Sequence, residues 1–185
     1  MSKIRVLLAD DHPVVRDGIR TLLETSDRIE IIGEASGGHE ALEMVESLHP
    51  DVLLLDMEMP DMSGVEVTRQ LKQKRTGVRI LVLSAYNDPQ YIRSVLSHGA
   101  SGYLTKDEAP DFILEAIQGV WLGQEGWLSR QVAAQMTVWT REESDNFGLT
   151  PREIQVLRGL VDAKTNMEIG LALGISDKTV EKHLE

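Results

Sequence analysis

Val52-Leu53-Leu54-Leu55-Asp56 is an apolar run of strand length that ends on a carboxylate, and its reading decides the fold. Valine and leucine without polar alternation suit a strand buried on both faces, the condition of a parallel sheet covered by helices. The same design recurs at Ile4 to Ala9, Ile29 to Gly33, Ile80 to Leu83 and Gly102 to Leu104. Between the runs, apolar residues repeat at helical spacing: Val15, Ile19 and Leu22; Ala41, Leu42 and Val45; Val65, Val67 and Leu71; Ile92, Val95 and Leu96. A last helical segment carries Ile113, Ala116 and Ile117. Strand and helix alternating in this way predict an α/β fold, a (βα)5 doubly wound parallel sheet with right-handed crossovers.

In such sheets a ligand site lies beyond the carboxyl ends of the strands. Asp10, Asp11, Asp56, Ser84 and Lys106 all fall there by sequence. Taken singly, each has an ordinary reading: an aspartate after a strand usually turns the chain or caps a helix, Ser84 bonds to backbone, and Lys106 is solvated. Together they form a chemical unit. Magnesium takes hard oxygen ligands and only one or two protein carboxylates, and phosphoryl transfer needs an in-line nucleophile plus positive charge on the equatorial oxygens. Asp56 offers the nucleophile, while Mg²⁺ and Lys106 offer the charge. Gly33-Glu34-Ala35-Ser36-Gly37-Gly38 lacks the spacing and the lysine of phosphate-binding loops and reads as a turn. His12 reads as a loop residue, because magnesium favours oxygen.

The 185 residues divide by composition. Residues 1–121 hold 12 Lys or Arg against 20 acids, a net −8; residues 122–148 carry −2 and residues 149–185 carry −1. An acidic first part argues against a nucleic-acid surface there and suits a cation or a basic partner face. The absence of cysteine excludes a disulfide framework and thiolate metal sites. No apolar stretch approaches the roughly 20 residues a membrane span needs, and the reading is a soluble cytoplasmic protein with no membrane partner.

The expected units are 1–121, the α/β domain; 122–148, a linker with a short helix capped by Ser129 and carrying Val132, Ala133 and Met136; and 149–185, a helical domain. Gly119 and Gly123 are read as ending the last helix of the first domain, and Thr140 to Gly148 as a polar connection. Thr150-Pro151-Arg152-Glu153 forms a capping box with proline at the first helical position. The helix it starts is expected to bury Val156, Leu157, Leu160 and Val161. Asn166 is expected to cap a second helix through Ile169 and Leu173, Gly174 to make a turn, and Ser176 to cap a third. That order is a helix-turn-helix plan.

Residues 1 to about 121 resemble the receiver domain of two-component response regulators, a flavodoxin/CheY-like fold. The resemblance rests on Leu8-Ala9-Asp10-Asp11-His12-Pro13, Leu55-Asp56-Met57-Glu58-Met59-Pro60, Leu83-Ser84-Ala85 and Gly99-Ala100-Ser101-Gly102-Tyr103-Leu104-Thr105-Lys106. It implies Asp56 as acceptor of the phosphoryl group from a sensor histidine kinase, and Asp11 and Asp56 as direct Mg²⁺ ligands. Asp10 is implied to act through water, with the Glu58 backbone carbonyl as a further ligand. Ser84 and Tyr103 are implied as the switch pair, and Glu58 is expected to tune phosphate lifetime. Such a protein is a phosphoacceptor and not an enzyme; the readings kept beside it are a signalling module acting through protein contacts alone and a Mg²⁺-dependent phosphohydrolase.

Leu149 to Leu157, Thr165 to Ile169 and Ile175 to His183 resemble the LuxR-type helix-turn-helix, so the chain as a whole is similar to the NarL/FixJ class. This implies Lys178, Thr179, Lys182 and His183 as DNA-facing positions, and a phosphorylation response that is either homodimerisation or release of the output domain from the receiver. Ala163, Met167 and Glu181 depart from the class pattern, and the sequence stops about nine residues into the third helix, ~13 Å of helix at 1.5 Å per residue. The domain is therefore read as partial. Weak or no specific DNA binding is expected of this 185-residue species.

Overall fold

The computed structural model of the chain describes residues 3–85, 88–134, 136, 151–161 and 164–182. It divides into two compact units, Met1–Gln135 and Met136–Glu185.

The first unit is a parallel sheet with helices inserted between its strands. In order they are β1 (Ile4–Ala9), α1 (Pro13–Leu23), β2 (Ile29–Ala35), α2 (Gly38–Leu48), β3 (Val52–Asp56), α3 (Gly64–Lys74), β4 (Arg79–Ser84), α4 (Pro89–Ser97), β5 (Gly102–Thr105) and α5 (Ala109–Trp121). A short sixth strand, β6 (Trp127–Leu128), follows, then a helix α6 over residues 130–134. The strand order is β2-β1-β3-β4-β5-β6, every pairing parallel. β3 lies between β1 and β4 and is buried at every residue, as its unbroken apolar run predicts.

The core on one side of the sheet joins Val6, Leu8, Leu54, Leu81, Leu83 and Leu104 to Ile113 and Ile117 of α5. Burying a leucine of this kind contributes about 1.5–3 kcal/mol, and the strands that carry the site each supply such residues. Helix starts follow local chemistry. The Asp88 carboxylate accepts from the Gln90 amide at 2.8 Å ahead of Pro89, and Ser63 accepts from Glu66 at the start of α3.

α5 does not stop at Gly119. It runs to Trp121, and Gly123, with φ +86°, turns the chain. Gly119 instead leaves the space that the Trp127 indole fills. β6 is held to β5 by backbone: Gly126 N–H donates to Ser101 O at 2.9 Å and Ser129 N–H to Tyr103 O at 3.0 Å.

The second unit contains α7 (Pro151–Val161), α8 (Asn166–Leu173) and α9 (Asp177–Lys182). Its core is Val156, Ile169 and Val180, with Leu173 and Ile175 packed against them. Of the face expected to be buried on α7, only Val156 is fully covered: Leu157 and Leu160 are each 38 % exposed and Val161 86 %. Ile169 of α8 and Val180 of α9 meet α7 at Val156.

α8 is capped by Thr165, one residue before the expected Asn166; Thr165 and Glu168 form a reciprocal capping box. Gly174 (φ +66°) makes the turn, and Ser176 Oγ accepts from Thr179 N–H at 3.1 Å at the start of α9. Thr150 and the stretch Thr140 to Gly148 lie outside the described residues, as does Ala163. Among the described residues, no helix is long and apolar enough to cross a membrane.

Candidate phosphoryl site

Parallel strands deliver their carboxyl ends to one edge, and there β1, β3, β4 and β5 bring the predicted residues together. Asp10 and Asp11 follow β1, Asp56 closes β3, Ser84 closes β4, and Lys106 follows β5. Asp10, Asp56 and Ser84 are 1–3 % exposed. Lys106 Nζ lies 2.7 Å from Asp10 Oδ2 and 2.9 Å from Asp56 Oδ2. Its backbone N–H donates to Ser84 O at 2.8 Å, which fixes where the lysine leaves the sheet. Asp56 Oδ1 accepts from the Met57 amide at 2.8 Å.

Burial pushes the Asp56 carboxyl up, and Asp10 adds to this; the hydrogen bond and charge of Lys106 work against it without cancelling it. Burial on its own would depress the Lys106 ammonium, but Asp10 and Asp56 more than offset that and hold it above its usual value. The two directions are compatible, because two carboxylates share one ammonium.

One donor atom each from Asp10, Asp11, His12 and Asp56 falls within 4.8 Å of the others. Asp10 Oδ2 and Asp11 Oδ1 are buried without a hydrogen bond of good geometry. Asp10 Oδ2 meets the Lys106 ammonium, and Asp11 Oδ1 meets His12 Nδ1 at 2.7 Å. Under-served carboxylate oxygens facing one point fit a hard divalent cation. His12, read from sequence as a loop residue, stands just before α1 in an extended conformation without a side-chain cap bond and is 63 % exposed, with its ring turned to the acidic pair.

Tyr103 is fully buried and its hydroxyl is hydrogen-bonded to Ser84; burial raises its pKa. A cavity of about 440 Å³ lies beside this pair, bounded also by Glu58, Met59 and Tyr91. Glu58 is exposed. In the second unit, Lys178 is exposed, and the half-buried Thr179 bonds through its hydroxyl to Ser176 at 2.8 Å. Lys182 closes α9, and His183 lies outside the described residues.

Sequence reasoning does not single out Asp61. Both of its carboxylate oxygens accept from the start of α2. Nothing in its neighbourhood in sequence could reveal this, because the partner lies 23 residues earlier.

Comparison with known proteins agrees with this geometry. The response regulator receiver domain family matches residues 6–118, and the luxR family of bacterial regulatory proteins matches residues 148–185. The transcriptional regulatory protein DegU of Brevibacillus brevis is 36 % identical over 99 % of this chain and 85 % of its own length. The nitrate/nitrite response regulator NarL of Escherichia coli K12 is 36 % identical over 97 % of this chain and 85 % of its own length. Among solved structures, the RcsB–DNA complex superposes with a TM-score of 0.73 at 27 % identity, over 98 % of this chain and 88 % of that one. The chain thus belongs to the two-component response regulators that join a receiver domain to a LuxR-type DNA-binding domain, a family of transcriptional regulators.

Proposed function

We propose that the receiver is switched by phosphorylation of Asp56, with a sensor histidine kinase as donor, and that the switch governs DNA binding by the LuxR-type unit. The observation that carries this is the single ammonium of Lys106 bridging Asp10 and Asp56 at 2.7 and 2.9 Å on the buried strand edge. An Asp56 oxygen attacks the phosphorus of the donor's phosphohistidine in line. The P–N bond breaks as the O–P bond forms, and the histidine leaves with its electron pair. Lys106 opposes the effect of burial on Asp56 through its hydrogen bond and charge, and then neutralises a phosphoryl oxygen.

Asp11, Asp56 and the Glu58 carbonyl would hold Mg²⁺, with Asp10 supporting it, and the cation would supply further charge neutralisation. Ser84 turns its hydroxyl toward the new phosphoryl group, and the buried Tyr103, bonded to Ser84, follows that change. Lys178, Thr179, Lys182 and His183 are the proposed DNA contacts, and phosphorylation favours the homodimer. The absence of a spanning helix among the described residues suits a cytoplasmic regulator.

Acetyl phosphate with Mg²⁺ should label the wild type once per chain and leave Asp56→Asn unlabelled, read by intact mass. Equal labelling of the two proteins overturns the assignment. Glu58→Ala should change the decay rate of the label, and an unchanged rate removes the Glu58 side chain from the mechanism.

A further inference from the structure

Gly37-Gly38 opens α2 without a side chain of its own to cap it: Gly37 is extended (φ −164°) and makes no side-chain cap bond. The cap comes from elsewhere in the chain. Asp61, in the loop between β3 and α3, accepts from Gly38 N–H through Oδ1 at 2.8 Å and from His39 N–H through Oδ2 at 3.0 Å. His39 Nδ1 lies 2.9 Å from the same Oδ2. A carboxylate at the positive end of a helix is doubly favoured, by its hydrogen bonds and by the macrodipole. Donation from these groups holds the Asp61 carboxyl well below the usual carboxylate range.

The glycines are required by this approach. A Cβ on Gly37 would stand 2.7 Å from Asp61 Oδ1, and one on Gly38 would stand 2.7 Å from Met62 Cβ and 3.0 Å from Met62 O. The glycine pair therefore does receive an anion, and the anion is the protein's own.

The captured loop begins at Asp56. Its base is closed by Gly64 N–H donating to Met57 O at 2.9 Å, while Asp61 fastens its outer part to α2. Glu58, whose backbone carbonyl is assigned to the cation, lies between the two ties. We propose that Asp61, by capping α2 from the β3–α3 loop, is a positioning residue for the phosphoryl site: it holds the 57–63 backbone where the Mg²⁺-dependent transfer to Asp56 needs it. This rests on the reading of Asp56 as phosphoacceptor.

The test uses the full chain titrated with Mg²⁺ and followed by amide NMR, alongside acetyl phosphate labelling. In Asp61→Ala the Gly38 and His39 amide resonances move, and Mg²⁺ binding weakens about tenfold, the scale on which outer-shell groups tune metal sites. The labelling rate at saturating Mg²⁺ changes far less. Asp61→Asn, which keeps an acceptor oxygen, falls between. Gly37→Ala has a compatible backbone and displaces the carboxylate, so it should reproduce the effect in the wild type and add nothing to Asp61→Ala.

Unchanged Mg²⁺ affinity in Asp61→Ala with a lowered melting temperature would make Asp61 purely structural and overturn the proposal. Additive effects of Gly37→Ala and Asp61→Ala would do the same. If the wild type is not labelled, or Asp56→Asn is labelled equally, it is the phosphoacceptor assignment that fails.

Discussion

The receiver unit and the helical unit draw on similar apolar residues and organise them differently. In the receiver, unbroken apolar runs converge on a sheet, so that Leu53, Leu54, Leu55, Leu81 and Val82 are all fully buried. In the helical unit, among the described residues, only Val156, Ile169 and Val180 form the core, while Val161, Leu171 and Met167 are 86, 79 and 67 % exposed. A sheet covered on both faces gives each residue many neighbours, whereas three short helices give each a few. The candidate phosphoryl site stands on the strand ends of the first arrangement. The helix-turn-helix depends instead on helix ends: Thr165, Ser176, Gly174, and Arg152 reaching the Leu173 carbonyl at 2.7 Å.

Leu54→Ala is the strongest way to break that contrast. Leu54 lies at 0 % exposure in the core that joins β1, β3, β4 and α5, and its truncation should cost about 2–5 kcal/mol. Hydrogen exchange should show lost protection across all of those elements. Loss confined to β3 would mean that the core is not shared and that the comparison fails.

Asp56→Asn should act in the opposite direction, stabilising the receiver by about 1–2 kcal/mol at neutral pH, the scale of relieving an imperfectly paired buried charge. The folded Asp56 carboxyl sits above its usual value. Folded protein therefore holds a proton that the unfolded chain has released, and stability falls as pH rises through the carboxylate range. Asp10, 2.7 Å from Lys106 Nζ in the wild type, is untouched by the substitution. Denaturation at several pH values measures this: the gain should vanish below the carboxylate range, and a variant less stable than wild type at neutral pH contradicts it.

The site is legible because β-strand ends are marked in the sequence itself: an apolar run stops, and Asp10, Asp56 or Ser84 stands at the stop. Parallel topology then converts five separate positions into one cluster. What stays hidden depends on partners distant in sequence. Trp127 and Leu128 form too short a run to read as a strand, and only the space left by Gly119 and the free edge of β5 make them one. Gly37-Gly38 reads as punctuation because Asp61 belongs to another loop. The apolar face of α7 misleads for a related reason: periodicity shows that Leu157, Leu160 and Val161 are apolar, while burial depends on what the rest of the unit covers.

Thr165→Ala sharpens the comparison at its weaker end. Thr165 Oγ1 donates to Glu168 Oε2 at 2.8 Å and accepts from Glu168 N–H at 3.3 Å, while Thr165 N–H donates to Glu168 Oε2 at 2.8 Å. Removing such a cap costs about 1 kcal/mol, a larger fraction of what three buried residues supply than of what the receiver core supplies. Hydrogen bonds from Thr165 hold the Glu168 carboxyl below its usual value, so the box contributes above the carboxylate range and is lost as pH falls through it. The variant should therefore lose exchange protection in α8 at neutral pH, and its difference from wild type should shrink on acidification. Equal protection in the two proteins at neutral pH would show that α8 is held by its packing on Val156 and Val180 and that the helical unit is less dependent on its ends than its sparse core implies.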